Sequence, residues 1–372
     1  MSPESFFKDI NNHYSNKFPF VVYKKGNQNQ ISAYLQEDNK LYKLKDFTEC
    51  GFVMAPFNLE ESSYIIPQNR SKNIEITHIF ESVFKESKSI ANEDAYSKQD
   101  HLKLISNAIK TIENENLEKV VVTRQETLKG INYDPIELFK RLITNYPEAF
   151  VYCWFHPEIG LWLGATPETL LNIENNRFST MSLAGTKAYQ DHLNINWSDK
   201  EINEQSIVTN FIVNQLNNEI QKIQMSEVET IKAGSLVHLR TQISGVFSDK
   251  TSDLKTIVNK LHPTPAVCGF PKDIAKNFII ENENYNREFY TGFLGELNIR
   301  KNKSRNSNRR NIENNAYKSL KRVTDLYVNL RCMKFDDSQV NLFIGGGITI
   351  DSNAEQEWQE TVAKSRTIKK VL

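Results

Sequence analysis

Two pairs of glutamates stand three residues apart: Glu201 and Glu204 in SDKEINEQ, and Glu357 and Glu360 in EWQETVAKS, with Lys364 further along the second segment. On a helix that spacing puts both carboxylates of a pair on one face, and Lys364 shares the face of Glu357 and Glu360. Two such pairs facing each other would make a hard, all-oxygen site suited to Mg2+, which keeps waters and accepts substrate oxygens. Acids near a helix start are also favoured by the helix dipole, so the spacing alone leaves both readings open. Lys119 opens KVVVTR, where a buried strand would normally begin with an apolar residue. Alternation sets Lys119, Val121 and Thr123 on one face and Val120, Val122 and Arg124 on the other. Lys119 is then either a surface gatekeeper or a cation aimed into a site.

Other residues frame these groups. FIGGGITI places Gly345, Gly346 and Gly347 straight after an apolar strand, where glycine marks close approach of a ligand or another segment. LAGTK, with Gly185, and GATPETLL, with Gly164, interrupt strand-like runs in the same way. The latter sets Glu168 just past a strand end and a proline, as a helix-start residue or as an acid. LHPTPAVCGFPKDIA (residues 261–275) is a turn-rich segment that can serve as a site wall. Its His262, taken alone, reads as a packed or surface histidine.

The elements that must position these residues follow from periodicity. Residues 1–95 mix short apolar runs (FPFVVYKK, ISAYLQ, GFVMAPF, SYIIP) with polar breaks, a meander of short strands. Helical spacing covers 96–116, a second helix starts near Asp134-Pro135, and 198–223 reads as one long amphipathic helix. FVYCWFHP, GLWLGATPETLL, RFSTMSLAG, TGFLGELNI, DLYVNLRCMKF and QVNLFIGGGITI read as strands. A final helix begins near 353, with Ser352-Asn353-Ala354-Glu355 as its capping box. Strands in neighbouring runs, without βαβ alternation, predict an α+β fold of layered antiparallel sheets flanked by helices.

Composition excludes several classes. Lys+Arg and Asp+Glu both number 46, so no net charge draws the chain to nucleic acid or an anionic membrane. No apolar run reaches the roughly 18 residues of a membrane span, and the N-terminus lacks the pattern of a secretory signal. Cys50, Cys153, Cys268 and Cys332 lie far apart, as free thiols in a reducing cytoplasm do. No G-x-G-x-x-G or Walker sequence is present. Residues 299–322 carry nine Lys/Arg against one acid. They read as a solvated hairpin extension, or as the docking surface of a non-catalytic binding protein.

In order, KVVVTR, GATPETLL, LAGTK, SDKEINEQ, SLVHLRTQISG, LHPTPAVCGFPK, NREFYTGFLGELN, LYVNLRCMKF and LFIGGGITIDSNAEQEWQETVAK closely resemble the chorismate-utilising enzymes, and among them the isochorismate synthases. The resemblance covers about residues 96–372, with 301–322 as a basic insertion where the family has a short turn. Residues 1–95 match loosely, and one domain over 1–372 is expected. The resemblance implies the fold of anthranilate synthase component I and an isomerase that adds water at C2 of chorismate and expels the C4 hydroxyl. Lys119 would be the general base and Glu168 the general acid. Mg2+ would be held by Glu204 and Glu360, with Glu201 and Glu357 in direct or water-mediated contact. Tyr290, Arg331 and Lys364 would meet substrate carboxylates, helped by backbone N–H groups near Gly185 and Gly346. Thr186, His262 and Ala266 complete the implied contacts.

A lysine base must be neutral part of the time. From an ordinary pKa near 10.4, a value of about 8 costs the charged form about 3 kcal/mol, which burial at a strand end can supply. The ammonia-adding anthranilate synthases do not typically carry a lysine here, which favours water as nucleophile. The salicylate synthases share the lysine and go on to eliminate pyruvate; LHPTPAV looks more like the enzymes that stop at isochorismate. Isochorismate feeds menaquinone or siderophore synthesis, and menaquinone is the expected use. A cytoplasmic monomer is expected. The family often has G-A-G where this chain has Gly345-Gly346-Gly347.

Overall fold

A computed structural model describes residues 1–79, 95–130, 133–189, 195–234, 236–248, 253–303, 319–336 and 339–372. The chain opens with α1 (Pro3–Ser15), followed by β1 (Phe20–Lys24), β2 (Gln30–Gln36), β3 (Gly51–Ala55), β4 (Tyr64–Pro67) and β5 (Ser71–Thr77). Next come α2 (Ala95–Asn114), β6 (Lys119–Lys129), α3 (Pro135–Asn145), β7 (Phe150–His156), β8 (Gly160–Thr166), β9 (Thr169–Glu174) and β10 (Arg177–Ala188). The middle holds α4 (Asp199–Leu216), β11 (Ile220–Met225), β12 (Glu229–Ala233), β13 (Leu236–Phe247), α5 (Leu254–Leu261), β14 (Gly269–Phe270) and α6 (Lys272–Asn282). The last part holds β15 (Phe293–Lys303), β16 (Ser319–Val328), β17 (Cys332–Asp336), β18 (Gln339–Ile348) and α7 (Ala354–Lys369).

The strands build two antiparallel sheets, the α+β architecture expected from the sequence. One runs β14-β6-β18-β17-β8-β7-β1-β2-β5, the other β11-β13-β10-β9-β16-β15-β3-β4, with β12 added to β13. Period-two alternation explains the layering. Val21 and Tyr23 of β1 and Tyr152 and Trp154 of β7 point inward, meeting Phe52 and Met54 of β3 and Leu294 of β15 between the sheets. Their neighbours Phe20, Val22, Val151 and Cys153 point outward against α1 and α3. α4 and α5 cover the outer face of the second sheet. α2 and α6 cover Val120 and Val122 of β6. Trp162 is fully buried in the inner layer and stacks on Phe343 at 5.3 Å between ring centroids. Burying a side chain of this kind stabilises the fold by about 1.5–3 kcal/mol.

Four local expectations are corrected. α1 lies where only strands were expected: Ser2 caps it, Pro3 opens it, and Phe6, Phe7 and Ile10 are its buried face. The helix expected over 198–223 stops at Leu216, and 220–225 is β11, paired to β13. Leu216, Ile220 and Ile223 keep a helical period, and pairing with β13, with a bulge between Ile220 and Lys222, overrides it. α7 is capped by Asn353, whose side chain accepts from Glu355 N and Gln356 N at 3.1 Å, while Ser352 Oγ accepts from Thr349 N. DLYVNLRCMKF is two strands, β16 and β17, belonging to different sheets. Of the basic insertion 301–322, residues 304–318 lie outside the described residues. On either side of them β15 and β16 pair with Lys303 opposite Ser319. Among the described residues, no helix is long and apolar enough to cross a membrane.

Candidate active site

The chain passes from one sheet to the other at two places that matter here. Between β8 and β9 it crosses at Pro167-Glu168, and between β16 and β17 at Asn329–Arg331. Both crossings deliver side chains to one cavity of about 120 Å3. Lys119 of β6 and Gly345 and Gly347 of β18 supply its wall from the first sheet, and Gly185 of β10 and His238 of β13 from the second. Glu204 of α4 and Glu360 and Lys364 of α7 close it. Thr186, Ala266 and Tyr290 also line it, so the structure gathers most of the residues singled out in sequence.

Lys119 is no surface residue: it is 2% exposed. Desolvation pulls its pKa down and nearby Lys364 adds to this, against Glu204, Glu168 and Glu360. Glu168 is 3% exposed, and burial pushes its carboxyl up to about 8 although Lys119 opposes the rise. Burial thus moves the lysine toward its neutral form and the carboxyl toward its protonated form, on one cavity. A Cβ on Gly347 would stand 3.1 Å from Lys119 Cε and 3.3 Å from Glu204 Oε1. Glycine at this point of β18 therefore leaves room for the two head groups.

Arg124, at the other end of the valine run, turns away. Its Nε donates to Thr361 Oγ1 at 2.9 Å, its Nη1 pairs with Glu126, and its guanidinium lies 4.6 Å from the Trp358 ring centre. It joins β6 to α7 as part of the core.

The carboxylates divide. Lys200 is drawn electrostatically by Glu357, Glu204 and Glu360 and forms an ion pair with Glu357. Burial raises the Glu357 carboxyl, and neighbouring Glu360 raises it further. Glu360 pairs with Lys364 at 2.7 Å, and Lys364 also donates to Gly345 O at 2.9 Å. Glu201 is not brought to this group. Its Oε2 accepts from Ser198 N at 2.8 Å in a capping box, and these Ser198 bonds outweigh burial to keep its pKa low. Among the described residues, no three His, Cys, Asp or Glu side chains form a ready-made metal shell. Mg2+ does not need one, because it is ordinarily held by one or two carboxylates, substrate oxygens and water. Glu204 and Glu360, both on the cavity, fit that requirement. Glu357 stands behind them, with Oε2 3.8 Å from where a Cβ on Gly346 would lie.

Two further expectations are corrected. His262 does not reach the cavity: its ring is buried, Nε2 meets Phe57 O at 3.1 Å, and its edge packs on Phe293. Burial drives its pKa down to about 3, so it is a neutral core residue. Gly346 lies on the α7 side of β18 and is not among the lining residues, unlike Gly345 and Gly347.

His238, within SLVHLRTQISG, carries no functional mark in the sequence. Arg331 Nη2 donates to His238 Nε2 at 2.9 Å, so Nδ1 carries the proton and donates to Gly185 O at 2.9 Å. Burial, and then Arg331, lower the His238 pKa to about 3, consistent with that neutral form. Arg331 itself has φ +48°, an uncommon conformation for a side-chain-bearing residue, and Nη1 donates to Ala233 O. A bulge in β10 between Ala184 and Lys187, with Gly185 at φ +71°, presents the Gly185 carbonyl to His238. Tyr290 stacks on Phe343, and burial raises its pKa, so its hydroxyl stays protonated beside Gly345.

With this geometry in place, comparison with known proteins is specific. The family model for chorismate binding enzymes matches residues 55–304, and a second chorismate binding enzyme model matches 316–370. The chain belongs to the chorismate-binding enzyme family. It is 28% identical to isochorismate synthase EntC of Escherichia coli (strain K12) over 279 residues, covering 72% of this chain and 66% of that one. Against isochorismate synthase MenF of the same strain it is 29% identical, over 72% of this chain and 59% of the relative. The matched stretch thus spans at most two thirds of each relative's length. The crystal structure of DhbC from Bacillus anthracis superposes with a TM-score of 0.76 at 19% identity, covering 98% of each chain, and so shares the fold.

Proposed function

We propose that this protein is an isochorismate synthase, converting chorismate to isochorismate. The observation that carries this reading is the buried lysine and buried glutamate on one cavity, with protonation preferences moved in opposite directions. An enzyme that adds water on one side of a ring and expels a hydroxyl from the other needs this pair. Neutral Lys119 Nζ takes a proton from water as its oxygen bonds to C2. Both ring double bonds shift, C1=C2 to C1=C6 and C5=C6 to C4=C5, the C4–O bond breaks, and Glu168 gives its proton to the departing hydroxyl, which leaves as water. Atoms balance: one water enters and one leaves, and solvent returns Lys119 and Glu168 to their starting states.

The remaining cations and donors recognise the two carboxylates of chorismate. Arg331, held by His238 and Ala233 O, presents a fixed guanidinium, which suits a carboxylate better than a mobile ammonium. Lys364 and the Tyr290 hydroxyl add a charge and a donor on the same cavity. Glu204 and Glu360 would hold Mg2+, with Glu357 close by. When bound, the ion would neutralise and orient the ring carboxylate. The similarity to EntC and MenF supports the isochorismate reading, and menaquinone synthesis is the proposed consumer of the product. The test is incubation with chorismate and Mg2+, with chromatographic identification of the product. Isochorismate is expected; salicylate with pyruvate, or anthranilate when ammonia is supplied, would contradict the proposal.

A further inference from the structure

β6 is flanked on one side by β18 along most of its length, from Val120 opposite Ile348 to Lys129 opposite Gln339. On its other side, among the described residues, it has only β14, a strand of two residues, with Gly269 opposite Val120 and Phe270 opposite Lys119. The ladder on that side ends where Val121 N donates to Cys268 O at 2.8 Å. Beyond this point the edge-facing groups, Val121 C=O and Thr123 N–H, have no strand among the described residues to pair with. Unpaired edge groups in a buried strand carry their full desolvation penalty. They would also leave the segment that carries Lys119 loosely held.

A buried ion pair occupies this gap. Arg287 Nη2 donates to Val121 O at 2.7 Å, and Glu283 Oε1 accepts from Thr123 N at 2.8 Å and from Thr123 Oγ1 at 2.9 Å. Arg287 Nε donates to Glu283 Oε2 at 2.7 Å, closing the two side chains into one unit, each side chain 2% exposed. One acceptor and one donor are thus offered at the spacing a paired strand would offer them. The same guanidinium reaches further round the cavity. Arg287 Nη1 donates to Val267 O at 3.0 Å and Thr291 Oγ1 at 3.3 Å, and Arg287 O accepts from Tyr290 N at 2.9 Å. Val121, Val267, Tyr290 and Thr291 all line the cavity and come from separate parts of its wall.

We propose that the Glu283–Arg287 pair stands in for the missing edge strand and is a positioning unit for Lys119, fixing β6 against the 264–268 turn and the Tyr290–Thr291 wall. Neither residue touches the cavity, so the pair acts through the residues it holds. The proposal rests on Lys119 being the base. Its structural half is readable without that assumption. Arg287→Lys keeps the charge and the pairing but loses the planar fork that reaches two carbonyls at once. Glu283→Asp keeps the charge and draws the carboxylate back from Thr123 by one methylene.

The test measures hydrogen exchange of the peptide spanning residues 117–125, together with steady-state turnover of chorismate, in both variants. In the wild type, Thr123 N–H is expected to exchange as slowly as amides paired between β6 and β18. Each variant is expected to speed it at least tenfold, to lower kcat tenfold or more, and to leave KM within threefold. If one variant does not fold, the other and the wild-type exchange still decide the matter. Rapid exchange at Thr123 in the wild type, or folded variants with unchanged exchange and kcat, would overturn the proposal. A wild type inactive on chorismate would overturn the function instead, while the exchange data would still judge the positioning.

Discussion

Lys119 of β6 and Glu168 of the β8–β9 crossing face one cavity, and burial moves their pKa values toward each other, the lysine downward and the glutamate up to about 8. Their mutual attraction opposes both movements, and desolvation outweighs it. A fully charged pair would resemble an ordinary buried salt bridge. Burial instead moves both groups toward their neutral forms, the direction that the proposed reaction needs.

Lys119→Ala is expected to lower kcat by about 10²–10⁴, the usual contribution of a positioned base, with the fold intact. Arg124 offers the contrast. Arg124→Met removes its bonds to Thr361 and Glu126, costs about 1–3 kcal/mol in urea unfolding, and leaves kcat of the folded fraction within about threefold.

The pH dependence follows from the same two groups. Glu168 must hold its proton, so kcat/KM is expected to fall as pH rises through about 8. Lys119 must lack its proton, so kcat/KM falls again on the acid side, and the profile is a bell. Activity that keeps rising to pH 10 would remove Glu168 from the role of acid.

Chelation should abolish turnover, and added Mg2+ should restore it. Glu204→Gln and Glu360→Gln are each expected to raise the Mg2+ needed for half-maximal rate by about tenfold or more. Glu201→Gln should weaken the start of α4 and leave that requirement unchanged, since its carboxylate is engaged by Ser198. Titrating Mg2+ against rate for the three variants checks this.

Replacing residues 304–318 by a short turn joins Lys303 to Ser319, which already face each other. Turnover of chorismate is expected to stay within about twofold, because no described part of this hairpin lines the cavity. A loss of a hundredfold would tie the basic insertion to catalysis.

Much of this was legible in the sequence because apolar alternation is a local signal. β1, β2, β3 and β4 fall on the four short apolar runs read there. Leu216, Ile220 and Ile223 keep a helical period, and only pairing to β13 makes 220–225 a strand. The break inside DLYVNLRCMKF, which delivers Arg331, is invisible to alternation because the residues on both sides are good strand formers. His238 was missed because its partner Arg331 is 93 residues away, and a histidine in an apolar strand carries no local mark. Glu283 and Arg287 are readable as an i, i+4 pair. The carbonyl and amide they hold belong to β6, some 160 residues earlier in the chain.

In the proposed reaction a buried lysine activates water against chorismate. The most direct measurement of this step is product analysis after incubation with chorismate, Mg2+ and 18O-labelled water, for the wild type and Lys119→Ala. Isochorismate carrying one 18O at C2 is expected from the wild type and almost none from the variant. Unlabelled product, or the same yield from both proteins, would contradict it.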